Sequence, residues 1–305
     1  MRNHNKHIFR NIAALLHAVE LPSPKHPLIA VLDYSTHKAK IGNPGDHILL
    51  NFYKISFKTN FRGQVMYGHH HYDFDDGGMA FIAPNQLLIT STNEEVQEGF
   101  TLYVHPDFFI GYPLARKILQ YGFFHYDVSE ALYLSVKEKD MIAGIFNALS
   151  SELNNNIDAF SQDILISQIE QLLNYCNRFY TRQFITRSVA NHSLLTKMEK
   201  ILSDYVQEAT IQEESLPTVK SLAEQLQVSP HYLSDMLRSL TGLNTQQHIH
   251  LKVIEKAKNL LITSEMSVAE IAYTLGFEHP QSFSKLFRRK VDCSPVQFRE
   301  RFFGS

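Results

Sequence analysis

The sequence contains little cysteine, which excludes two kinds of protein. Cys176 and Cys293 are the only cysteines among 305 residues, too few for a disulfide framework or for a zinc site with four thiolate ligands. Long apolar runs are also missing, since no segment approaches the roughly eighteen consecutive apolar residues of a membrane-spanning helix. Residues 1–24 lack a small-residue cleavage site after their short apolar stretch. We therefore expect a cytoplasmic protein that does not associate with membranes.

An overall excess of positive charge is missing as well. The formal net charge is -2 at pH 7, which by itself argues against binding to polyanions. The charge is unevenly divided, however, because residues 216–305 hold 11 Lys and Arg against 8 Asp and Glu, whereas the remainder holds 18 against 23. A basic excess confined to one region is typical of a region that binds nucleic acid.

The first hundred residues have the pattern of β-strands. Their β-branched and aromatic residues are concentrated in short runs that Gly, Pro, Asn and Asp separate. These runs are residues 29–34, 48–57, 64–74, 79–89 and 101–104. The pattern predicts an antiparallel β-barrel or sandwich. Its aromatic residues either line a ligand pocket or fill the core, and those in question are Phe52, Tyr53, Phe57, Tyr67, Phe74 and Phe81.

From about residue 136 the apolar residues recur with the period of a helix. One stripe consists of Met141, Ile145, Phe146 and Leu149, and a longer one consists of Ile166, Ile169, Leu172, Leu173, Cys176 and Tyr180. Two packed helices would produce this pattern, covering either the barrel or another subunit. The pattern lapses into polar residues at 187–193, which predicts a linker. We therefore expect an α+β protein with domains at residues 1–187 and 194–305, the second of them all-α.

A short helical pattern occurs twice in the C-terminal third. The apolar positions of residues 219–226 recur 49 positions later in residues 268–275, and the following helix recurs at an offset of 50. Each copy has apolar residues at i, i+3, i+4 and i+7, a turn, and a second helix that begins with proline. This predicts helix-turn-helix motifs at residues 218–242 and 267–290, and thus a partner that is double-stranded DNA.

In the first motif, Ser229 is the expected N-cap and Gly242 the expected C-terminal residue of the second helix. Leu233, Met236, Leu237 and Leu240 are expected to face inward. The outer face then holds His231, Ser234 and Asp235, which we expect to contact bases, and Arg238, which we expect to contact phosphate. Because a carboxylate repels phosphates and accepts only from a base donor such as cytosine N4, Asp235 predicts weaker binding or a different base preference.

In the second motif, Ser267 and Glu270 fit a capping box. Phe283, Leu286 and Phe287 are expected to face inward. The residues expected to contact bases are Gln281, Ser284 and Lys285, and those expected to contact phosphates are Arg288, Arg289 and Lys290. The second motif should therefore contribute more of the DNA affinity.

Residues 246–262 separate the motifs and have apolar residues at helical spacing without Gly or Pro. A helix of this length spans roughly 25 Å, which suits two recognition helices in successive major grooves. With these features in place, the C-terminal third resembles the DNA-binding domain of AraC/XylS-type bacterial transcription regulators. The matching segments are LA at 222–223, SPHYLS at 229–234, IEKAKNLL at 254–261, IA at 271–272, LGF at 275–277, SFSKLFRR at 282–289 and SPVQFR at 294–299. One departure is Asp292, where the family usually has Gly.

The resemblance implies a sequence-specific transcription regulator whose N-terminal domain is cupin-like and senses an effector. It favours activation over repression and implies RNA polymerase and a second copy of the chain as partners. In this family the helix equivalent to the longer stripe commonly forms the dimer, so Ile166, Ile169, Leu173, Cys176 and Tyr180 are the expected dimerisation residues. A small-molecule effector is a possible partner, but the sequence identifies no residues that bind it. The pattern suggests no catalytic residues and no cofactor.

A cupin-type metalloenzyme with a DNA-binding appendage is the alternative. His69 and His71 alternate onto one strand face, and Asp75 could supply a carboxylate to an iron or zinc ion. Gly78 and Pro84 have the spacing of the second cupin motif, but the His expected soon after that Pro is absent. We therefore expect no metal and no enzymatic activity.

Overall fold

A computed structural model describes residues 5–36, 46–62, 64–67, 70–73, 78–89, 95–127, 130–155, 158–186, 188–208 and 217–303. The chain divides into two compact units, Met1–Gln183 and Phe184–Ser305, and each is described by itself. The segment predicted to be a polar linker is different in the structure, because a helix already begins at Ser188. In the described parts of the chain, no helix is both long and apolar enough to cross a bilayer.

The first unit is built on antiparallel sheets, as the sequence pattern predicts. Its strands are β1 (Lys6–Phe9), β2 (Ile29–Asp33), β3 (His47–Leu50), β4 (Tyr53–Arg62), β5 (Gln64–Tyr67), β6 (His70–Asp73), β7 (Gly78–Ile82), β8 (Leu87–Ile89), β9 (Glu95–Val104) and β10 (Leu132–Tyr133). A five-stranded sheet has the order β10-β7-β4-β9-β2, a three-stranded sheet has the order β1-β3-β8, and β5 pairs with β6. Only the β1–β3 pair in the three-stranded sheet is parallel.

A short helix, α1 (Ile12–Ala18), fills the space beside the three-stranded sheet. Its side chains Ile12, Leu15 and Leu16 are buried in one apolar cluster with Leu50 and Phe52. Of the aromatic residues in the predicted strands, those with described side chains are buried, namely Phe52, Tyr53, Phe57 and Phe81. They therefore fill the core. Phe74 lies outside the described residues, and the side chain of Tyr67 is not described.

Two long helices cover the five-stranded sheet. They are α3 (Val136–Asn154) and α4 (Ser161–Thr186), and a short helix, α2 (Leu114–Lys117), precedes them. In α3 the buried stripe runs through Ile142 rather than Met141, which is 41% exposed. The prediction for Met141 was wrong by one residue, because the buried face of α3 follows the i, i+3, i+4, i+7 spacing from Ile142 through Ile145 and Phe146 to Leu149.

The residues expected to form a dimer surface are instead part of the core of the first unit. Ile166, Ile169, Leu173, Cys176 and Tyr180 are at most 5% exposed. The sulfur of Cys176 lies 3.5 Å from that of Met79 in β7, and the Tyr180 ring packs on Phe81, Phe123 and Tyr126. The prediction that these five side chains bind a second subunit was wrong, because the sheet already covers them.

In its described residues the second unit contains helices and no strand, as expected. They are α5 (Ser188–Glu208), α6 (Val219–Leu226), α7 (Pro230–Thr241), α8 (Thr245–Thr263), α9 (Val268–Thr274), α10 (Pro280–Val291) and α11 (Pro295–Phe303). Helix α8 runs between two helix pairs, and contacts from α5, α7, α9, α10 and α11 converge on it. Its fully buried residues Ile249, Ala257 and Leu261, with Val253, form the apolar side of this central helix.

Candidate nucleic-acid interface

Helices α6 and α7 form the first helix-turn-helix, and the capping residues determine where each helix begins. Thr218 Oγ1 accepts from the backbone N–H of Ser221 at 3.0 Å, and Ser229 Oγ accepts from that of Tyr232 at 3.2 Å. Gln227 ends α6 in the left-handed conformation with φ 58°. Gly242 ends α7 in the same way with φ 78°. The predicted caps at Ser229 and Gly242 are thus present in the structure.

The outer face of α7 is partly occupied by contacts within the chain. Ser234 Oγ lies 3.0 Å from the hydroxyl of Thr245, which is fully buried at the start of α8. Ser234 therefore ties the recognition helix to α8. Asp235 and Arg238 are paired at 2.7 Å between Oδ1 and Nη1. His231 is exposed.

Helices α9 and α10 form the second helix-turn-helix. Ser267 Oγ accepts from the Glu270 N–H, and the Glu270 carboxylate accepts from the Ser267 N–H at 2.7 Å. This predicted capping box lowers the pKa of Glu270, because hydrogen bonds to Ser267 favour the charged carboxylate. Gly276 makes the turn with φ 77°.

An aromatic ladder fixes α10 in the second motif. Phe277, Phe283, Phe287 and Phe298 follow one another with ring centroids 5.5 to 5.7 Å apart. Phe283 and Phe287 are fully buried, as predicted. Because edge-to-face aromatic pairs add about 0.5–1.5 kcal/mol beyond their area burial, this ladder holds the outer face of α10 in a defined rotation.

The outer face of α10 is basic and open. Gln281, Lys285, Arg288, Arg289 and Lys290 are exposed, and Ser284 is half-buried. Ser282, which the sequence pattern did not single out, is also exposed next to Gln281. Four of these residues are cations, namely Lys285, Arg288, Arg289 and Lys290. Over residues 217–303 no carboxylate lies within ion-pairing distance of them. This face can donate hydrogen bonds to acceptors and bind anions without first breaking an ion pair.

Helix α8 is anchored at both of its ends. At its start, Asn244 and Gln247 form a capping box, and Thr241 Oγ1 is 2.8 Å from His248 Nε2. At its end, the Arg299 guanidinium donates to the carbonyl oxygens of Leu261 at 3.1 Å and Met266 at 2.6 Å. These contacts join the two helix-turn-helix motifs through one continuous helix, as the sequence predicts.

The alternative metal site falls where the structure gives little information. His69 and Asp75 lie outside the described residues, and the side chain of His71 is not described. Among the residues with described positions, no group of three His, Cys, Asp or Glu is arranged to hold a metal ion.

Comparison with known proteins locates the same region. A family model described as "Helix-turn-helix domain" matches residues 222–301. The "HTH-type transcriptional activator RhaS" of Klebsiella pneumoniae (strain 342) is 26% identical over 255 residues, 82% of this chain and 86% of the relative. The RhaS of Escherichia coli (strain SE11) is 40% identical over 80 residues, which span 26% of this chain and 29% of that relative.

One solved structure that is similar to this chain is the C-terminal domain of the two-component response regulator yesN from Fusobacterium nucleatum subsp. nucleatum. It is 33% identical and covers 33% of this chain and 97% of that one, with a TM-score of 0.30.

Two helix-turn-helix motifs on one central helix, with a basic outer face on the second, define a DNA-binding transcription regulator. The family model and the relatives agree with this class. Residues 222–301 form a helix-turn-helix domain of the AraC type, as the resemblance in the sequence predicts.

Proposed function

We propose that the chain is an effector-responsive transcription activator that binds two adjacent major grooves through α7 and α10. The relatives named as activators support this direction of regulation. The observation that carries the proposal is the outer face of α10, where six exposed polar or basic side chains lie beside a rigid aromatic ladder. Activation also makes RNA polymerase a partner.

Base recognition is assigned mainly to the first half of α10. Gln281 and Lys285 are one turn apart on the exposed face, and Ser284 lies between them at its half-buried edge. An amide can bind adenine N6 and N7, and an ammonium group can donate to guanine O6 and N7. Arg288, Arg289 and Lys290 follow in the last turn, where they would bind phosphates and fix the orientation of the helix.

The first motif is proposed to bind more weakly than the second. Arg238 is paired with Asp235, so the carboxylate offsets the positive charge that Arg238 offers to a phosphate. Because Ser234 and Thr245 share a hydrogen bond in which either hydroxyl can donate, Ser234 keeps a donor for a base only when Thr245 is the donor. His231 and Asp235 are the remaining base contacts of α7, and Asp235 would accept from a cytosine amino group.

The effector site is proposed at a cavity of about 170 Å³ in the first unit. Both apolar and polar side chains line it, as in small-molecule sites. The lining includes Leu21, Lys25, His26, Ala30 and Leu153. Burial lowers the pKa of His26. A neutral imidazole at this position can form hydrogen bonds with a ligand in the cavity. A thermal-shift screen of metabolites tests this assignment, with Leu153→Trp as the cavity-filling control.

A homodimer is proposed for simultaneous binding to two half-sites, which raises affinity through effective concentration. Its surface must lie outside the buried stripe of α4. Sedimentation equilibrium of the full chain measures the subunit count directly, and a monomer at micromolar concentration contradicts this part of the proposal.

Selection of bound sequences from random duplexes tests the main proposal. We expect one sequence to be preferred over bulk DNA by about a thousandfold or more. Lys285→Ala should change the selected bases, whereas Lys200→Ala, which removes an exposed charge from α5, should leave the selected sequence unchanged. If no sequence outcompetes random DNA, sequence-specific regulation by this chain is excluded.

A further inference from the structure

His250 lies on α8 outside either helix-turn-helix, and the sequence pattern gave it no role. The residue is half-buried, while Gln246, one turn earlier, is exposed. The amide nitrogen of Gln246 lies 2.9 Å from His250 Nε2. Because an amide nitrogen only donates, Nε2 accepts and the ring proton lies on Nδ1. The two side chains thus form one polar pair on the first two turns of the central helix.

Two cations on another helix act electrostatically on His250. Helix α8 packs against α10, whose last turn contains Arg289 and Lys290. Burial of the ring is the largest cause that lowers the pKa of His250, and the charges of Arg289 and Lys290 lower it further. Both cations are exposed, and no carboxylate among residues 217–303 is paired with them. The packing of α10 against α8 thus adds two cations to the environment of His250, and none of the three basic groups has a paired carboxylate among residues 217–303.

We propose that Gln246, His250, Arg289 and Lys290 form a composite site for one phosphate of the DNA backbone, to which α8 contributes two residues. This inference rests on the proposed function, because the phosphate belongs to the duplex that α10 reads. Arg289 and Lys290 supply charge, while the Gln246 amide and the protonated imidazole donate hydrogen bonds to the phosphate oxygens. The central helix then contacts DNA itself in addition to carrying the two motifs.

Phosphate binding and protonation of His250 are linked. A phosphate offsets the charges of Arg289 and Lys290, the cations of α10 that act on the ring, and on α8 Gln246 is the neutral neighbour of His250. The pKa of His250 is therefore higher in the complex than in the free protein. The complex therefore binds more protons than the free protein between the two pKa values. The affinity for DNA increases as the pH falls through the pKa of the complex, and it levels off below the pKa of the free protein.

Binding measurements on the full chain test this site with two labelled duplexes, the selected sequence and a random sequence. His250→Ala should weaken binding to both by about tenfold at pH 6, since a hydrogen bond to a charged group is lost. The variant should also lose part of the pH dependence between pH 6 and 8. His250→Arg carries a charge that does not titrate in this range, so at pH 8 it should bind as tightly as the wild type does at pH 6. Lys252→Ala, on the same helix but paired with Glu255, is the control and should have little effect.

Equal binding of the wild type and His250→Ala to both duplexes across this pH range overturns the inference. So does a loss confined to the selected sequence, because a phosphate contact acts on every sequence. If the wild type does not prefer the selected duplex, the proposed function fails, while the random duplex still tests the phosphate site. Nuclear magnetic resonance of the His250 ring separates two sources of phosphate. The duplex should raise its pKa, and an equal rise with inorganic phosphate alone would overturn the backbone assignment.

Discussion

Gln227 and Gly276 occupy the same position in the two helix-turn-helix motifs, and both have a left-handed backbone, with φ 58° and 77°. Gly adopts this conformation without a steric cost, whereas a residue with a Cβ does not. The next pair has the reverse arrangement, because Gly242 ends α7 and Asp292 ends α10 with φ 78° and 59°. At these two left-handed positions, each motif therefore has one glycine and one residue with a Cβ, whose backbone is strained.

Gln227→Gly should stabilise the second unit by about 1 kcal/mol, because it removes the strain of a side chain in the left-handed region. Gln227 is exposed, so little packing is lost. Urea unfolding of the full chain, followed by helical circular dichroism, measures the change. Gly276→Ala is the matched control and should destabilise the unit. A destabilised Gln227→Gly protein would contradict the argument.

Asp235→Ala should strengthen binding to random duplexes, on which the proposed base contact of Asp235 does not contribute. The substitution frees Arg238 and removes a carboxylate from the outer face of α7, so the salt dependence should become steeper by about one unit of log K per log salt. Exposed pairs contribute about 0–1 kcal/mol, so stability should change little. Fluorescence anisotropy at several salt concentrations measures both quantities.

Glu255→Ala is the control for this prediction. It releases Lys252 from a similar i,i+3 pair at 3.0 Å on α8 and changes the net charge equally. If both variants increase affinity by the same factor, overall charge explains the gain and the assignment of Asp235 to the DNA surface is wrong.

The sequence predicted the second unit well, because its features are local. Capping residues, the proline at the start of each second helix and the spacing of apolar residues all act within a few positions. The contact of Ser234 with Thr245 and the electrostatic effect of Arg289 on His250 were missed, since both depend on residues of another helix. Thr245 lies 11 positions after Ser234, and Arg289 lies 39 positions after His250. No periodicity within one helix reports such pairs.

The first unit was predicted less completely, because its strands pair over long separations. The run at 48–57 is divided into β3 and β4 by the bend at Asn51 and Phe52. Strand β1 was not predicted, because its four residues alternate between exposed and half-buried and none is fully buried. The stripe of α4 was correctly predicted to be apolar, but periodicity cannot distinguish a sheet of the same chain from a second subunit.

Arg288→Ala and Gln281→Ala should have different effects on DNA binding. Removing a phosphate contact weakens binding to all sequences and lowers the salt slope by about one. Removing a base contact costs about 1–3 kcal/mol on the selected sequence only and relaxes the preference at one base position. Anisotropy titrations with the selected and random duplexes separate the two. An equal loss on both duplexes for Gln281→Ala would exclude a base contact.

Gly99→Ala should destabilise the first unit by about 2 kcal/mol or more. Gly99 has φ 123°, and an added Cβ would lie 2.1 Å from the carbonyl oxygen of Phe57, near the irregular register between β4 and β9. Gly144→Ala is the control, because Gly144 lies on the exposed side of α3 and nothing lies within 4 Å of its added Cβ. It should stabilise the unit by up to about 1 kcal/mol. Thermal unfolding of both variants measures the contrast, and equal effects would contradict it.

Acid should weaken the second motif through Glu270. Its folded-state pKa is lowered by the hydrogen bonds from Ser267, so the stabilisation is complete above the unfolded-state pKa and is lost as the pH falls through the folded-state pKa. Ser267→Ala removes one bond of the capping box and should reduce both stability at neutral pH and its decrease in acid. Urea unfolding at neutral pH and in the acid range measures this. Glu270→Gln retains an acceptor without a titrating charge, and it should remove the acid dependence while preserving part of the cap. An unchanged acid dependence in this variant would show that other carboxylates cause it.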